Sequence, residues 1–219
     1  MSQPLRILVV DDHPATRSSL NAAIAADPRL TLTGEAATWA EAYRLAIDLR
    51  PDVMVLDLNL PDGNGWHLLE QLAAARRRPP TLVLSICDEA IYARRLFRSG
   101  ARGYLMKDEP LERIVQGIVD VAAGHLVASQ PLTTQLMHEA LQAADPPAEP
   151  EHSEDIAGLS DRELQLFSLF ALGQRNKDVA AQLRISEKTV ATYKARVMRK
   201  LGVSNTPELI ARYRAGGLG

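Results

Sequence analysis

Pro51-Asp52-Val53-Met54-Val55-Leu56-Asp57-Leu58-Asn59-Leu60-Pro61-Asp62-Gly63 decides the fold of this 219-residue chain. Val53 to Leu56 is a short continuous apolar run with two β-branched residues, bounded by Pro51 on one side and by Pro61 and Gly63 on the other. Such a run reads as a strand buried on both faces, the usual state of a strand in a parallel sheet. Asp57 stands where the run ends. In an open α/β sheet, ligands and chemistry collect at the carboxyl ends of the strands. Taken alone, a strand-end Asp is more often the start of a turn, so the rest of the chain has to decide.

The same pattern recurs outward from this stretch. Leu5 to Val10 is an apolar run that ends at Asp11-Asp12, and Thr81 to Leu84 is one that ends at Ser85. Leu30 to Gly34 reads as a shorter strand, and Gly103-Tyr104-Leu105-Met106 as a fifth strand that ends at Lys107. Helical periodicity fills the gaps between them. Pro14 to about Ala25 is one helix, opened by a proline in its first turn. Thr38 caps a helix through Leu49. Trp66 to Ala75, Glu89 to Arg98 and a stripe of Leu111, Ile114, Val115, Ile118 and Val121 complete the set. Strands alternating with helices predict a five-stranded parallel sheet covered by helices.

Parallel strands bring Asp11, Asp12, Asp57, Ser85 and Lys107 to one edge of that sheet. Clustered carboxylates repel one another and call for a cation; hard oxygen ligands suit Mg²⁺. A carboxylate beside Mg²⁺ and a lysine can attack phosphorus and form an aspartyl phosphate. Several neighbours read more plainly. His13 is a loop residue, with a role near a phosphate as the alternative. Cys87 fills a small position, Arg76 to Arg78 form a solvated helix end, and Trp39 and Trp66 are packing residues.

Charge is divided unevenly along the chain. Residues 1–125 carry 14 Lys/Arg against 16 Asp/Glu, residues 126–157 carry none against 6, and residues 158–219 carry 11 against 5. The basic C-terminal segment points to a polyanionic partner. Between the two halves, Thr133 to Ala143 reads as a connecting helix and Asp145 to Asp155 as an extended acidic linker with three prolines. Its Glu149, Glu151, Glu154 and Asp155 read as a solubilising spacer, the alternative being a cover for the basic helix. The single cysteine excludes an internal disulfide and a cysteine-rich zinc site. No apolar run approaches the length of a signal core or a membrane span, so a cytoplasmic location is expected.

In the C-terminal half, Leu159-Ser160-Asp161-Arg162-Glu163 opens a helix with a capping box of Ser160 and Glu163. Asn176 is expected to cap a short second helix, Ser186 a third that runs to about Leu201, and Thr206-Pro207-Glu208 starts a fourth. Two helices across a tight turn, the second rich in Lys, Arg, Thr and Tyr, form a helix-turn-helix pattern.

Residues 4–124 resemble a response-regulator receiver domain, through Asp11-Asp12, Asp57 with Pro61-Asp62-Gly63, Ser85, Tyr104 and Lys107. The resemblance implies a flavodoxin-like strand order of 2-1-3-4-5. It implies Asp57 as phosphoacceptor, with Asp12 and Asp57 as direct Mg²⁺ ligands, the Asn59 backbone carbonyl as a third, and Asp11 acting largely through water. It also implies Lys107 as the partner of the phosphate, with Ser85 and Tyr104 as a switch in which Ser85 moves toward the phosphate and Tyr104 rotates inward. The phosphodonor is then a histidine kinase. The chain would be a regulator and not an enzyme, apart from the receiver's part in its own phosphotransfer and dephosphorylation. A metal-dependent phosphohydrolase also uses an aspartyl phosphate but wants a general acid two residues after the nucleophile, where this chain has Asn59. A regulator that binds DNA without phosphorylation is the other alternative.

Residues 158–219 form the second domain after a connection over 125–157, and 159–215 resemble the four-helix LuxR/NarL-type DNA-binding domain. The matching stretches are Leu159 to Glu163, Gly173 with Asn176-Lys177-Asp178-Val179-Ala180, Ser186-Glu187-Lys188-Thr189-Val190, and Arg199-Lys200-Leu201-Gly202-Val203. The resemblance implies contacts to double-stranded DNA from Lys177, Lys188, Thr189, Thr192, Tyr193, Lys194, Arg196 and Lys200, and a homodimer formed on phosphorylation. The commoner family pattern has Lys and His where this chain has Ala191 and Tyr193, so base contacts at Ala191 and Ala195 are not carried over.

Overall fold

A computed structural model describes residues 3–86, 89–130, 132–134, 158–183 and 185–215. The chain divides into two compact units, Met1–Thr133 and Thr134–Gly219. In the first, five strands form one all-parallel sheet: β1 (Leu5–Val10), β2 (Leu30–Ala36), β3 (Val53–Asp57), β4 (Thr81–Ser85) and β5 (Gly103–Met106). Their order is β2-β1-β3-β4-β5. Five helices alternate with them: α1 (Pro14–Ala26), α2 (Trp39–Leu49), α3 (Gly65–Ala74), α4 (Glu89–Arg98) and α5 (Leu111–Ala122).

The apolar runs explain why the sheet is covered on both sides. Side chains alternate across a strand. Ile7, Val9, Val53, Val55, Leu82, Leu84 and Leu105 pack in one cluster with Leu20 and Ile24 of α1 and Ile114, Ile118 and Val121 of α5. The intervening Leu8, Val10, Met54, Leu56, Val83 and Tyr104 are buried as well. Continuous hydrophobic strands are the cost of a sheet with no solvent-facing side.

The strand registers set the site. Val10 is level with Leu56, Asp57 with Leu84, and Ser85 with Met106. Asp11, Asp57, Ser85 and Lys107 therefore line one edge.

Some boundaries differ from the expectation. β2 runs two residues past Gly34, because a register shift after Ile7 lets Val10 pair with Ala36. Asn59–Leu60 and Gly63–Asn64 form a small antiparallel ribbon, and Asn64 caps α3 by accepting from the Trp66 N–H at 2.9 Å. Past Gly124 the chain adds a parallel bridge at the edge of β5: Tyr104 N–H donates to the Val127 carbonyl, and Val127 N–H to that of Arg102. Of the expected connecting helix only Thr133 and Thr134 are described, and the acidic linker and Cys87 lie outside the described residues.

The second unit contains α6 (Asp161–Ala171), α7 (Asn176–Gln182), α8 (Glu187–Lys200) and α9 (Thr206–Ala215). Leu164, Phe167, Phe170, Val179, Val190, Val197, Leu209 and Tyr213 make its core, with Phe167 and Tyr213 edge to face at 5.5 Å. The Ser160/Glu163 capping box is present, and Ser186 caps α8 through the Thr189 N–H. The cap of α7 falls on Arg175, not Asn176, and makes no side-chain capping bond; Arg175 pairs with Asp178 instead. Leu172 follows the last residue of α6 and is exposed. No helix among the described residues is long and apolar enough to cross a membrane.

Candidate functional site

The strand ends bring the expected acidic residues together. Asp11, Asp12 and Asp57 are all buried, and Lys107 reaches into them from the end of β5. Its Nζ donates to Asp11 Oδ2 at 2.6 Å and to Asp57 Oδ2 at 2.7 Å. The Asn59 backbone N–H holds the other Asp57 oxygen at 3.1 Å. Ser85 and Tyr104 are fully buried on the neighbouring strands, so the tyrosine already occupies an inward position.

Burial pushes the Asp57 carboxyl up to about 6, against the pull of the Lys107 charge, while Asp11 beside it adds to the rise. Burial works the other way on the Lys107 ammonium. The carboxylates of Asp57 and Asp11 outweigh it and hold the lysine above its ordinary value. The cluster is thus one cation inside a group of acids, and it retains a negative balance when all are ionised. Donor atoms of Asp11, Asp12, His13 and Asp57 all lie within 4.8 Å of one another. That donor set fits a divalent cation.

Four supporting residues are not evident from the apolar pattern. His13, read as a loop residue, sets its ring against the carboxylates, with Nδ1 2.6 Å from Asp12 Oδ1. Arg17, one turn further along α1, donates to the Asp11 carbonyl at 2.7 Å. Asp62 accepts from the Trp39 and Ala40 N–H groups at 2.6 and 3.1 Å, tying the loop after β3 to the start of α2. Gly65 packs so closely on the backbone of Asp57 and Leu58 that a Cβ there would stand 2.6 Å from the Asp57 carbonyl oxygen. The i to i+4 spacing of His13 and Arg17 was an available signal for the arginine. No local signal marks the approach of Gly65.

The residues read as bland are placed as packing or surface groups. Trp66 is buried and donates to Ser99 Oγ at 2.9 Å. Trp39 stacks on Tyr43 at 5.4 Å. Arg78 donates to the Ser99 carbonyl at 2.6 Å, and Arg76 takes a positive φ of 53° just past the end of α3.

In the second unit, α8 presents the other candidate surface. Lys188, Thr189, Thr192, Tyr193 and Arg196 line one shallow depression of about 340 Å³. Their spacing puts them on successive turns of one face. Lys177 is exposed on α7. The last two expected contacts have partners inside the unit. Lys194 sets its ammonium 4.6 Å from the centre of the Phe170 ring. Lys200 donates to Glu163 Oε2 at 2.6 Å and to the Gly158 carbonyl at 3.1 Å.

Relatives of known class share this organisation. The family described as "Response regulator receiver domain" matches residues 7–119, and "Bacterial regulatory proteins, luxR family" matches residues 157–213. The oxygen regulatory protein NreC of Staphylococcus epidermidis is 31% identical over 207 residues, which is 94% of this chain and 95% of the relative. Among solved structures, the response regulator ChrA of a heme-sensing two-component system is 28% identical over the whole of both chains, with a TM-score of 0.51. A LuxR-family two-component response regulator from Aurantimonas sp. SI85-9A1 is 30% identical, with a TM-score of 0.58 over 63% of this chain and 99% of its own.

Proposed function

Because the chain belongs to the response regulators and joins a receiver domain to a regulatory segment of the luxR family, we propose that Asp57 takes a phosphoryl group from a histidine kinase and that this controls DNA binding by α8. The single observation that carries the reading is the Lys107 ammonium held between Asp11 and Asp57 at the strand ends.

In this reading one Asp57 oxygen attacks the phosphorus of the kinase's phosphohistidine. A P–O bond forms, the P–N bond breaks, and the electron pair leaves with the imidazole nitrogen. Asp57 serves as nucleophile in its ionised form, the main form at neutral pH for a carboxyl at about 6. Lys107 faces the oxygens on which negative charge builds. Asp12, Asp57 and the Asn59 carbonyl would hold Mg²⁺ directly, with Asp11 acting through water; bound Mg²⁺ would neutralise the phosphoryl oxygens. The new charge of about −1.5 to −2 then draws Ser85 toward it, and Tyr104 keeps its inward position.

The receiver spans 4–124 and the DNA-binding domain 158–219, joined by 125–157. Lys188, Thr189, Thr192, Tyr193 and Arg196 form the central contact face on DNA. Lys177, Lys194 and Lys200 contribute phosphate contacts at its margins. A phosphorylated homodimer sets two copies of α8 on half-sites roughly one turn of DNA apart. The cytoplasm, where a kinase and DNA are both within reach, is the expected compartment.

Sedimentation velocity of the full chain with Mg²⁺, with and without beryllofluoride, tests the link from pocket to assembly. The expected result is a dimer only in the wild type with the mimic, and a monomer in Asp57→Ala throughout. A monomer under every condition overturns phosphorylation-driven dimerisation.

A further inference from the structure

At the edge of the sheet opposite Asp57, α2 and α3 end and β3 and β4 begin. Arg50, Arg76, Arg77 and Arg78 line one shallow depression there, of about 280 Å³, and no carboxylate lines it. Its floor includes Pro51 and Pro79, both buried. The exposed arginines Arg29 and Arg44 of the same unit pair with Asp27 and Asp48. The guanidiniums of Arg50, Arg76 and Arg77 take no such partner among the described residues. The neighbouring Asp52 is occupied by the Arg6 backbone N–H at 2.8 Å.

Cations suit the carboxyl ends of helices in general, which accounts for arginines at these positions but not for their backbone. Arg50 ends α2 at φ 48°, and Arg76 follows α3 at φ 53°. A left-handed residue at a helix end is normally glycine, because a Cβ is disfavoured there. Both positions keep arginine, and both bring it to the same depression. The rim is fixed. Arg76 N–H donates to the Ala73 carbonyl at 3.0 Å and Arg77 N–H to that of Leu72 at 2.9 Å, a Schellman turn. The Arg50 carbonyl accepts from the Arg6 guanidinium at 3.2 Å, and the Arg78 guanidinium is tethered to the Ser99 carbonyl at 2.6 Å.

We propose that this depression binds a small diphosphate anion, such as that of a nucleoside diphosphate. A guanidinium fork meets phosphate oxygens two at a time. One phosphate monoester carries about −1.5 to −2 against four positive charges, and two joined phosphates come closer to balance. The volume stands at the small end of ligand sites, which run from roughly 300 to 1,000 Å³. That suits a compact anion better than a nucleic-acid strand, which needs a basic groove along its backbone. The prolines offer an apolar floor to whatever the diphosphate is attached to. The site lies away from the strand ends where chemistry collects, so it binds and does not react.

Titration calorimetry of the full chain with inorganic pyrophosphate, ADP and AMP, without divalent ions so that the acidic pocket takes no part, tests the site. The wild type is expected to bind pyrophosphate and ADP, and AMP about tenfold more weakly or worse, the scale of one lost charge-assisted hydrogen bond. Arg50→Gly/Arg76→Gly is expected to bind both diphosphates about tenfold more weakly or worse while unfolding at no lower temperature, since glycine suits both left-handed positions. Arg77→Gln should repeat the loss with those two positions untouched. Lys188→Gln/Arg196→Gln, on the other basic face, should keep wild-type affinity. Either order between pyrophosphate and ADP supports the diphosphate site, and tighter ADP adds the apolar floor to the contact. A wild type that binds neither overturns the proposal. So does a loss of binding that follows the α8 pair and spares the arginine variants, because the anion then sits on the basic helix.

Discussion

The Lys107 ammonium lies 2.7 Å from the carboxylate of Asp57, a side chain that exposes 1% of its surface. The same nitrogen reaches Asp11 at 2.6 Å. One cation thus compensates two buried acids that come from strands far apart in the sequence. Removing one partner of a buried ion pair leaves an uncompensated charge.

Lys107→Ala is therefore expected to destabilise the receiver unit by about 3 kcal/mol at pH 8, with uptake of a proton by Asp57 limiting the loss at lower pH. Divalent ions that bind the pocket should restore part of it, because a ligand of the folded state alone stabilises that state. Urea unfolding followed by tryptophan fluorescence reads this unit by itself, since Trp39 and Trp66 both lie within it. A variant as stable as the wild type without added ion would contradict the pairing.

Gly65→Ala tests the support beneath the nucleophile. The added methyl would stand 2.6 Å from the Asp57 carbonyl oxygen and 2.9 Å from the Leu58 Cα, and both are backbone atoms with little freedom to move. A loss of about 1–3 kcal/mol is expected from such overpacking, with weaker beryllofluoride binding than in the uncrowded control Gly124→Ala, whose added Cβ has nothing within 4 Å. Because Gly124 has a positive φ of 87°, its own substitution measures backbone strain without crowding.

The second unit should carry a dependence on acid. Burial raises the Glu163 carboxyl, but the Lys200 and Ser160 hydrogen bonds outweigh it and hold the group below its ordinary value. A depressed carboxyl stabilises the fold above its unfolded value of about 4.3, and that stabilisation is lost as pH falls through the lower folded value. Lys200 is 41% exposed, so solvent screening limits the pair to about 1 kcal/mol or less. In urea unfolding followed by circular dichroism, Lys200→Met should weaken the acid-dependent loss of the helical signal. An unchanged acid profile would contradict the pairing.

On α8, Lys188 and Arg196 are the exposed cations of the central face. Fluorescence anisotropy on a duplex at several salt concentrations should give a log-log slope shallower by about one for each when changed to Ala. Thr192→Ala should leave the slope unchanged. Equal slopes for wild type and both cation variants would remove this face from the DNA contact.

The continuous apolar strands made the sheet and its acidic edge legible in the sequence, because strands buried on both faces need no alternation to be recognised. The capping box at Ser160 and Glu163 was legible for a related reason: both partners lie within one turn. What escaped depended on distance along the chain. Asp62 ties to Trp39 across 23 residues and Lys200 to Glu163 across 37. Lys200 reads as a free cation on a basic helix until α6 is folded beside it. The close approach of Gly65 to Asp57 and the turn of His13 onto Asp12 are set by backbone geometry that residue type alone does not reveal.

The most direct test of the central claim is intact-mass spectrometry of the full chain after incubation with Mg²⁺ and a small-molecule phosphodonor such as acetyl phosphate. The wild type is expected to gain the mass of one phosphoryl group, labile to hydroxylamine as an acyl phosphate is, and Asp57→Asn to gain none. Equal labelling of both proteins, or none of the wild type, would contradict Asp57 as the phosphoacceptor.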